Sequence, residues 1–234
     1  MGIYADGTYL ANNANWHEED SPYKAKLVAQ ALTRAGVQFK SCADIGCGAG
    51  KVTLLLAEQY PHAAFTGFDL SPDLEKFWGE KSAPNLSLRR EDPLQSERRY
   101  DLVVCLDVFE HVEDYFGFLR KLRTKGEHFL FNIPLDMSLL KLVTGGLRFA
   151  RESVGHLHYF NEYTALETLK DTGYTIETSF LSAAFRKIPP RNARQAVALA
   201  PRLLLSLLGD HVGALGVGGY SLVVVAKPDP RAAA

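Results

Sequence analysis

The stretch CADIGCGAGKVTLLLAEQ, residues 42–59, decides the fold. Cys42 to Ile45 read as a short strand, Gly46, Gly48 and Gly50 alternate, and from Val52 apolar residues recur at helical spacing. In an open parallel sheet the ligand crevice lies at the carboxyl ends of the strands, and the first strand-to-helix turn meets the cofactor. Glycines there allow close approach that a side chain would obstruct, while the next helix points N–H groups at the ligand. A tight turn without a ligand is the plain alternative, but three alternating glycines are costly in backbone entropy if nothing approaches them. A dinucleotide fingerprint needs a small residue at position 51, where Lys51 stands, and Val52 breaks the Gly-Lys-Ser/Thr of a P-loop. What remains is an acid, Asp44, followed by three alternating glycines.

On the amino-terminal side, residues 22–35 predict a helix with Ser21 as cap and Pro22 in the first position, and with Leu27, Val28, Ala31 and Leu32 on one face. On the other side, strands are expected at 63–69, 85–90, 100–106 and 128–133, and helices at about 50–59, 72–82 and 112–124. Such alternation means a parallel sheet covered on both faces. A helix at 161–174 ending at Gly173 and strands at 175–181 and 220–226 follow. The segment between those last strands is too long for a hairpin loop and too apolar for a disordered linker.

With 234 residues, 47% hydrophobic and 23% charged, the chain reads as a single domain over 1–234, with a helical lid at about 1–36 and insertions at about 136–160 and 183–219. A net charge of -1 argues against a nucleic-acid partner. Cys42, Cys47 and Cys105 all lie in or beside strand-like segments and read as buried small hydrophobes. The amino terminus lacks a basic and apolar leader, and the uncharged run 212–226 is shorter than the roughly 20 residues of a bilayer span, so a soluble cytoplasmic protein is expected.

Asp44 with Gly46, Gly48 and Gly50 resembles motif I of class I S-adenosylmethionine-dependent methyltransferases. The resemblance extends over about 40–135. Asp69, in TGFDLSP, matches the acid that receives the ribose hydroxyls. In RREDP, Asp92 matches the acid that receives the adenine amino group, with Glu91 as competitor. YDLVVCLDVFEHVED matches the fourth strand and the turn that meets the methionine end. It implies S-adenosylmethionine as cofactor, with Cys47, Leu70 and Leu106 as further contacts. It also implies a Rossmann-like α/β fold with seven strands, helices on both faces, and an antiparallel last strand inserted beside the fifth. The flanking segments resemble the family's small-molecule branch.

Methyl transfer needs alignment of nucleophile, methyl carbon and sulfur, and removal of a proton if the nucleophile is a hydroxyl. Histidine suits that removal because its ordinary pKa is about 6.5. His111, His156 and His158 lie where the family places its substrate, although each could be a structural, hydrogen-bonded histidine. His156 and His158 alternate and would aim the same way from an extended segment, with His156 favoured as the pocket residue. Asp107, Glu110 and His111 have acid-x-x-acid-His spacing, which a helical turn would place on one face. It resembles a divalent-metal motif of some ubiquinone-type and small-RNA methyltransferases, and the same Glu-His also occurs in metal-free relatives.

The N-terminal segment is either a solvated helix start or a lid in which Tyr9 or Trp16 closes the site. Residues 137–151 and 178–209 contain basic side chains and apolar runs but no acid. A solvated basic face is the bland reading. The sharper one is an anionic acceptor with an apolar portion, or a membrane or partner contact through 186–208. The Asn-Pro-Pro-Tyr motif of nitrogen-directed enzymes is absent, which favours O-methylation. RNA methylation and a non-catalytic cofactor-binding module are the alternative functions.

Overall fold

Every strand expected from sequence is present to within two residues at each end. The computed structural model describes residues 15–16, 18–190 and 193–232. Strands β1 (Ser41–Ile45), β2 (Ala64–Phe68), β3 (Leu86–Arg89), β4 (Tyr100–Leu106), β5 (Gly126–Pro134), β6 (Tyr174–Ser182) and β7 (Ser221–Pro228) form one sheet in the order β3-β2-β1-β4-β5-β7-β6. β1 to β5 pair in parallel, whereas β7 lies antiparallel between β5 and β6. Strand order reverses between β1 and β4, so a crevice opens at their carboxyl ends.

Side-chain alternation builds a core on each face. Leu102 and Val104 of β4, Leu130 of β5 and Val223 and Val225 of β7 pack with Val28, Ala31 and Leu32 of helix α1 (Ser21–Ala35) and Leu56 of α2 (Lys51–Gln59). Their neighbours Val103, Cys105, Phe129, Phe131 and Val224 turn the other way, toward Leu119 and Leu122 of the Tyr115–Leu122 helix and Leu169 of the Glu162–Asp171 helix. Both faces being buried is why these strands are continuous apolar runs. The three cysteines are buried and unlinked, as expected.

The helices depart more from expectation. α1 begins one residue early: Asp20 is its N-cap, without a side-chain cap bond, and the expected cap Ser21 is already helical and buried. The helix expected at 72–82 shrinks to a 3-10 turn at Pro72–Leu74 and α3 (Glu75–Trp78). Gly79 and Pro84 weaken continuation, and the Trp78 indole donates to Gly48 O at 3.0 Å. The helix expected at 112–124 is α4 (Tyr115–Leu122), started by Asp114, whose side chain accepts the Gly117 N–H at 2.9 Å.

The insertions form further helices: α5 (Leu139–Val143) and α6 (Gly146–Val154) before α7 (Glu162–Asp171), then α8 (Ala193–Ser206) and α9 (Asp210–Gly216) before β7. A capping box, Asn161 with Thr164, starts α7, and Gly173 follows it at φ +88°. Pro134 of β5 and Ser182 of β6 both pair with Ser221 of β7, so both insertions emerge at the carboxyl end of the parallel strands, on the crevice side. Among the described residues no helix is long and apolar enough to cross a membrane.

Candidate functional site

The crevice widens into a cavity of about 630 Å³ at the tips of β1, β2 and β4. Its floor is the glycine turn. Gly46 and Cys47 donate their N–H groups to Phe68 O at 2.8 and 3.0 Å, locking the turn onto the end of β2. Gly46 has φ +69°, and a Cβ there would stand 2.6 Å from Val108 Cγ2. Both backbone conformation and crowding therefore require glycine. Gly48 donates to Asp69 Oδ2 at 3.0 Å, and Ser71 N–H donates to Asp69 Oδ1 at 3.0 Å. These donors fix the Asp69 carboxylate in the cavity wall.

Of the nine residues expected at the cofactor, Asp44, Gly46, Cys47, Gly48, Asp69, Leu70, Asp92 and Leu106 line the cavity. Gly50 sits back from its wall as the N-cap of α2, against Leu88 and Lys81. Asp44 is buried and accepts the Thr53 hydroxyl at 2.6 Å; burial pushes its pKa up to about 7, while Thr53 pulls the other way. Burial also raises the Asp69 carboxyl, against the pull of its backbone donors. Asp92 accepts Leu94 N–H at 2.9 Å and the Gln95 amide at 3.2 Å, fixing its turn at the cavity edge beside its competitor Glu91.

The three histidines separate. His111 lines the cavity, whereas His156, favoured from sequence as the pocket residue, is buried behind it with ring centroids 4.8 Å apart. His158 is held by the carbonyls of Val112 and Glu113 at 3.0 and 3.2 Å from Nε2, its ring 4.4 Å from Tyr115. The alternating pair thus does not share a destination. The backbone N–H groups of Leu157 and His158 both donate to Glu110 O, pinning the segment against the Phe109–His111 turn.

His111 Nδ1 faces Gly155 O at 3.1 Å, a geometry that places the proton on Nδ1, and Nε2 lies 3.9 Å from Glu110 Oε1. Burial first, and His156 second, hold His111 down at about 4, so the ring is neutral at neutral pH. Behind it His156 Nδ1 is bonded to Asp136, which also holds Lys141. Burial opposes ionisation of Asp136, but these two partners keep it down at about 2.

The expected grouping of Asp107, Glu110 and His111 on one helical face does not form. Asp107 is in left-handed backbone, φ +56°, and is drawn away by Asn132 Nδ2 at 2.6 Å and Lys24 Nζ at 2.7 Å. Instead, donor atoms of Glu110, His111 and His156 lie within 4.8 Å of one another. Glu110 is fully buried and neither carboxylate oxygen has a hydrogen-bond partner. Burial, and then Asp107, raise its pKa well above the usual range. Oxygen and imidazole donors in this set could hold a divalent cation.

Trp16 and Glu18 line the cavity, and Glu18 bridges to Lys81 at 2.6 Å; Tyr9 lies outside the described residues. Lys24, Trp78, Asn132 and Asp136 were not identified as site residues from sequence. No motif marks them, because their partners come from distant parts of the chain.

Comparison with known proteins places this geometry. A family model described as a methyltransferase domain matches residues 16–179. A probable (S)-tetrahydroprotoberberine N-methyltransferase 2 of Papaver bracteatum is 29% identical over 118 residues, 46% of this chain and 33% of that protein. A malonyl-[acyl-carrier protein] O-methyltransferase of Acetivibrio thermocellus is 26% identical over 120 residues, 49% of this chain and 42% of that protein. The matched stretches thus span well under half of these curated relatives. Among solved structures, magnesium protoporphyrin IX methyltransferase from Synechocystis PCC 6803, with bound S-adenosylhomocysteine, superposes with a TM-score of 0.58 at 18% identity. That match covers 91% of this chain and 84% of the other.

Proposed function

This chain belongs to the methyltransferase domain family, in its class I S-adenosylmethionine-dependent form, and we propose that it methylates an oxygen of a small-molecule acceptor. The observation that carries the reading is the joining, in one cavity, of a glycine floor with its neighbouring carboxylate to a neutral histidine. The residues fit the cofactor. Gly46 and Gly48 present backbone rather than side chain, and the Asp69 carboxylate in the cavity wall would receive the ribose hydroxyls. A volume near 630 Å³ suits a nucleoside-amino acid conjugate with an acceptor beside it. Asp92 would receive the adenine amino group, Cys47, Leu70 and Leu106 would bound the cofactor, and Asp44 would support the loop from beneath. Bound there, S-adenosylmethionine supplies a methyl group activated by its sulfonium.

The protein's own task is to orient and to exclude water. Trp16 and Glu18 would cover the cofactor side. His111 would meet the acceptor from the cavity wall. A pKa of about 4 makes it a weak base, so it suits an acceptor whose oxygen is acidic or already ionised. That fits the net basic insertions, which favour an anionic acceptor with an apolar portion. The amino-acid types at the turn after β4, Asp107-Val108-Phe109-Glu110, lack the nitrogen-directed motif.

Calorimetry with S-adenosylmethionine, followed by product detection against carboxylate, phenol and amine acceptor pools, tests the reading. Saturable binding and an O-methyl product are expected. Absence of binding overturns it, N-methyl product corrects the acceptor atom, and binding without product favours a cofactor-binding module.

A second reading, metal-assisted transfer, is favoured by the buried Glu110 carboxylate, His111 and His156, whose donor atoms lie within 4.8 Å of one another. Both imidazoles already engage Nδ1 with an oxygen acceptor, the arrangement that orients Nε2 toward a cation. Titration with magnesium, manganese and zinc would show a site lost in Glu110→Gln; no saturable uptake ends this reading.

A further inference from the structure

The insertion helices carry apolar surface that the fold leaves uncovered. Of the fourteen large hydrophobic residues exposed among the described residues, twelve fall in the two insertions, five at positions 139–149 and seven at positions 197–215. Val143, Leu207 and Leu208 are exposed to 73, 81 and 70%. A monomer in water seldom keeps so much aliphatic surface together unless something covers it.

These residues come from two separate insertions, and the fold brings them to one end of the molecule. Both insertions leave the sheet beside Ser221. The Gly218–Gly219 backbone is wedged between them: a Cβ on Gly218 would stand 2.7 Å from Ser138 Oγ, and one on Gly219 2.7 Å from Arg202 Nε. The helices of the face also reach the cavity, for α6 runs from exposed Phe149 to Val154 in the cavity wall.

Charge indicates what covers this surface. The two insertions, 136–160 and 183–219, contain eight of the chain's 26 basic residues and three of its 27 acids, Asp136, Glu152 and Asp210, each bridged to one of those basic residues, so the insertions are net basic and the rest of the chain net acidic. Arg148, Arg151 and Lys187 of these insertions are exposed; Arg148 is bridged to Glu152. A second copy docked face to face would set these basic side chains against their own counterparts, which costs association energy. An anionic lipid surface accepts both components, aliphatic tips entering the headgroup boundary and cations remaining among the phosphates. The helices are short, so they would lie on such a surface and not cross it.

We propose that α5, α6, α8 and α9 dock this protein peripherally on an anionic lipid bilayer, with the cavity on the docked side. Partition onto a membrane is separate from methyl transfer, so the proposal stands or falls apart from the proposed activity.

The test is flotation of the full chain with vesicles of phosphatidylcholine alone and of phosphatidylcholine with phosphatidylglycerol. Partition at least about tenfold stronger onto the anionic vesicles is expected, weakening with salt. Leu207→Ser with Leu208→Ser, and separately Val143→Ser with Phe149→Ser, should each reduce it about tenfold, because both insertions form the face. Arg151→Glu with Lys187→Glu should remove the preference for anionic lipid. These side chains are exposed, and circular dichroism melts equal to wild type would verify folding. Absence of flotation, equal partition onto both vesicles, or wild-type binding by all three variants overturns the proposal. So does a dimer in sedimentation that the leucine variants dissociate, since the cover would then be a second copy.

Discussion

The tips of β1 and β2 and the tip of β4, backed by β5, border the same cavity but are built by different rules. At β1 and β2 the chain uses backbone: Gly46, Cys47 and Gly48 hydrogen-bond to Phe68 O and Asp69 within a single strand-turn-helix unit and its neighbour. At β4 and β5 it uses side chains from distant segments. Asp107 is held by Lys24 and Asn132, and His111 lies between Gly155 and His156. A ligand common to a family suits the first half, and a variable acceptor suits the second.

The largest effect expected in the backbone-built half concerns Asp44. Its folded pKa, about 7, is above the ordinary 3.8, so the group favours the fold fully below about pH 4, and that contribution is lost as pH rises through about 7. A three-unit rise corresponds to up to about 4 kcal/mol. Urea unfolding of the cofactor-free protein between pH 5 and 8 should therefore show a falling stability that Asp44→Asn flattens. Equal slopes in both proteins would remove Asp44 from that role.

Next in size, Gly46→Ala forces a side chain into left-handed backbone against Val108. Strain and crowding of roughly 3 kcal/mol should weaken S-adenosylmethionine binding about 100-fold in calorimetry. Unchanged affinity would mean that the floor adjusts and the comparison between the halves fails. Smaller still, His111→Gln should lower kcat/KM for the acceptor about tenfold, modest because the ring is a weak base, while cofactor affinity stays within about threefold. A loss in cofactor affinity instead would place His111 in the wrong half.

The same division explains what sequence reading could reach. The strands were legible because a sheet buried on both faces demands continuous apolar runs, and the glycine turn because its residue spacing excludes other nucleotide loops. Helix ends were less so: Ser21 looked like a cap but is buried inside α1, and α3 stops where Trp78 engages Gly48. The alternation of His156 and His158 predicted a common direction. Instead Asp136 captures one ring and the Val112 and Glu113 carbonyls the other. The acid-x-x-acid-His spacing likewise missed that Asp107 sits in left-handed backbone and that His156 takes its place beside Glu110 and His111.

By itself the sequence determined the α/β class, the strand runs, the glycine floor and the acids around it, since these follow from local periodicity and from spacing inside one supersecondary unit. Only the tertiary structure decided which histidine meets the cavity, that Glu110 is buried against His111 and His156, and that both insertions leave the sheet on the crevice side. Those outcomes depend on side chains far apart in the chain being desolvated together, and no local pattern encodes that energy.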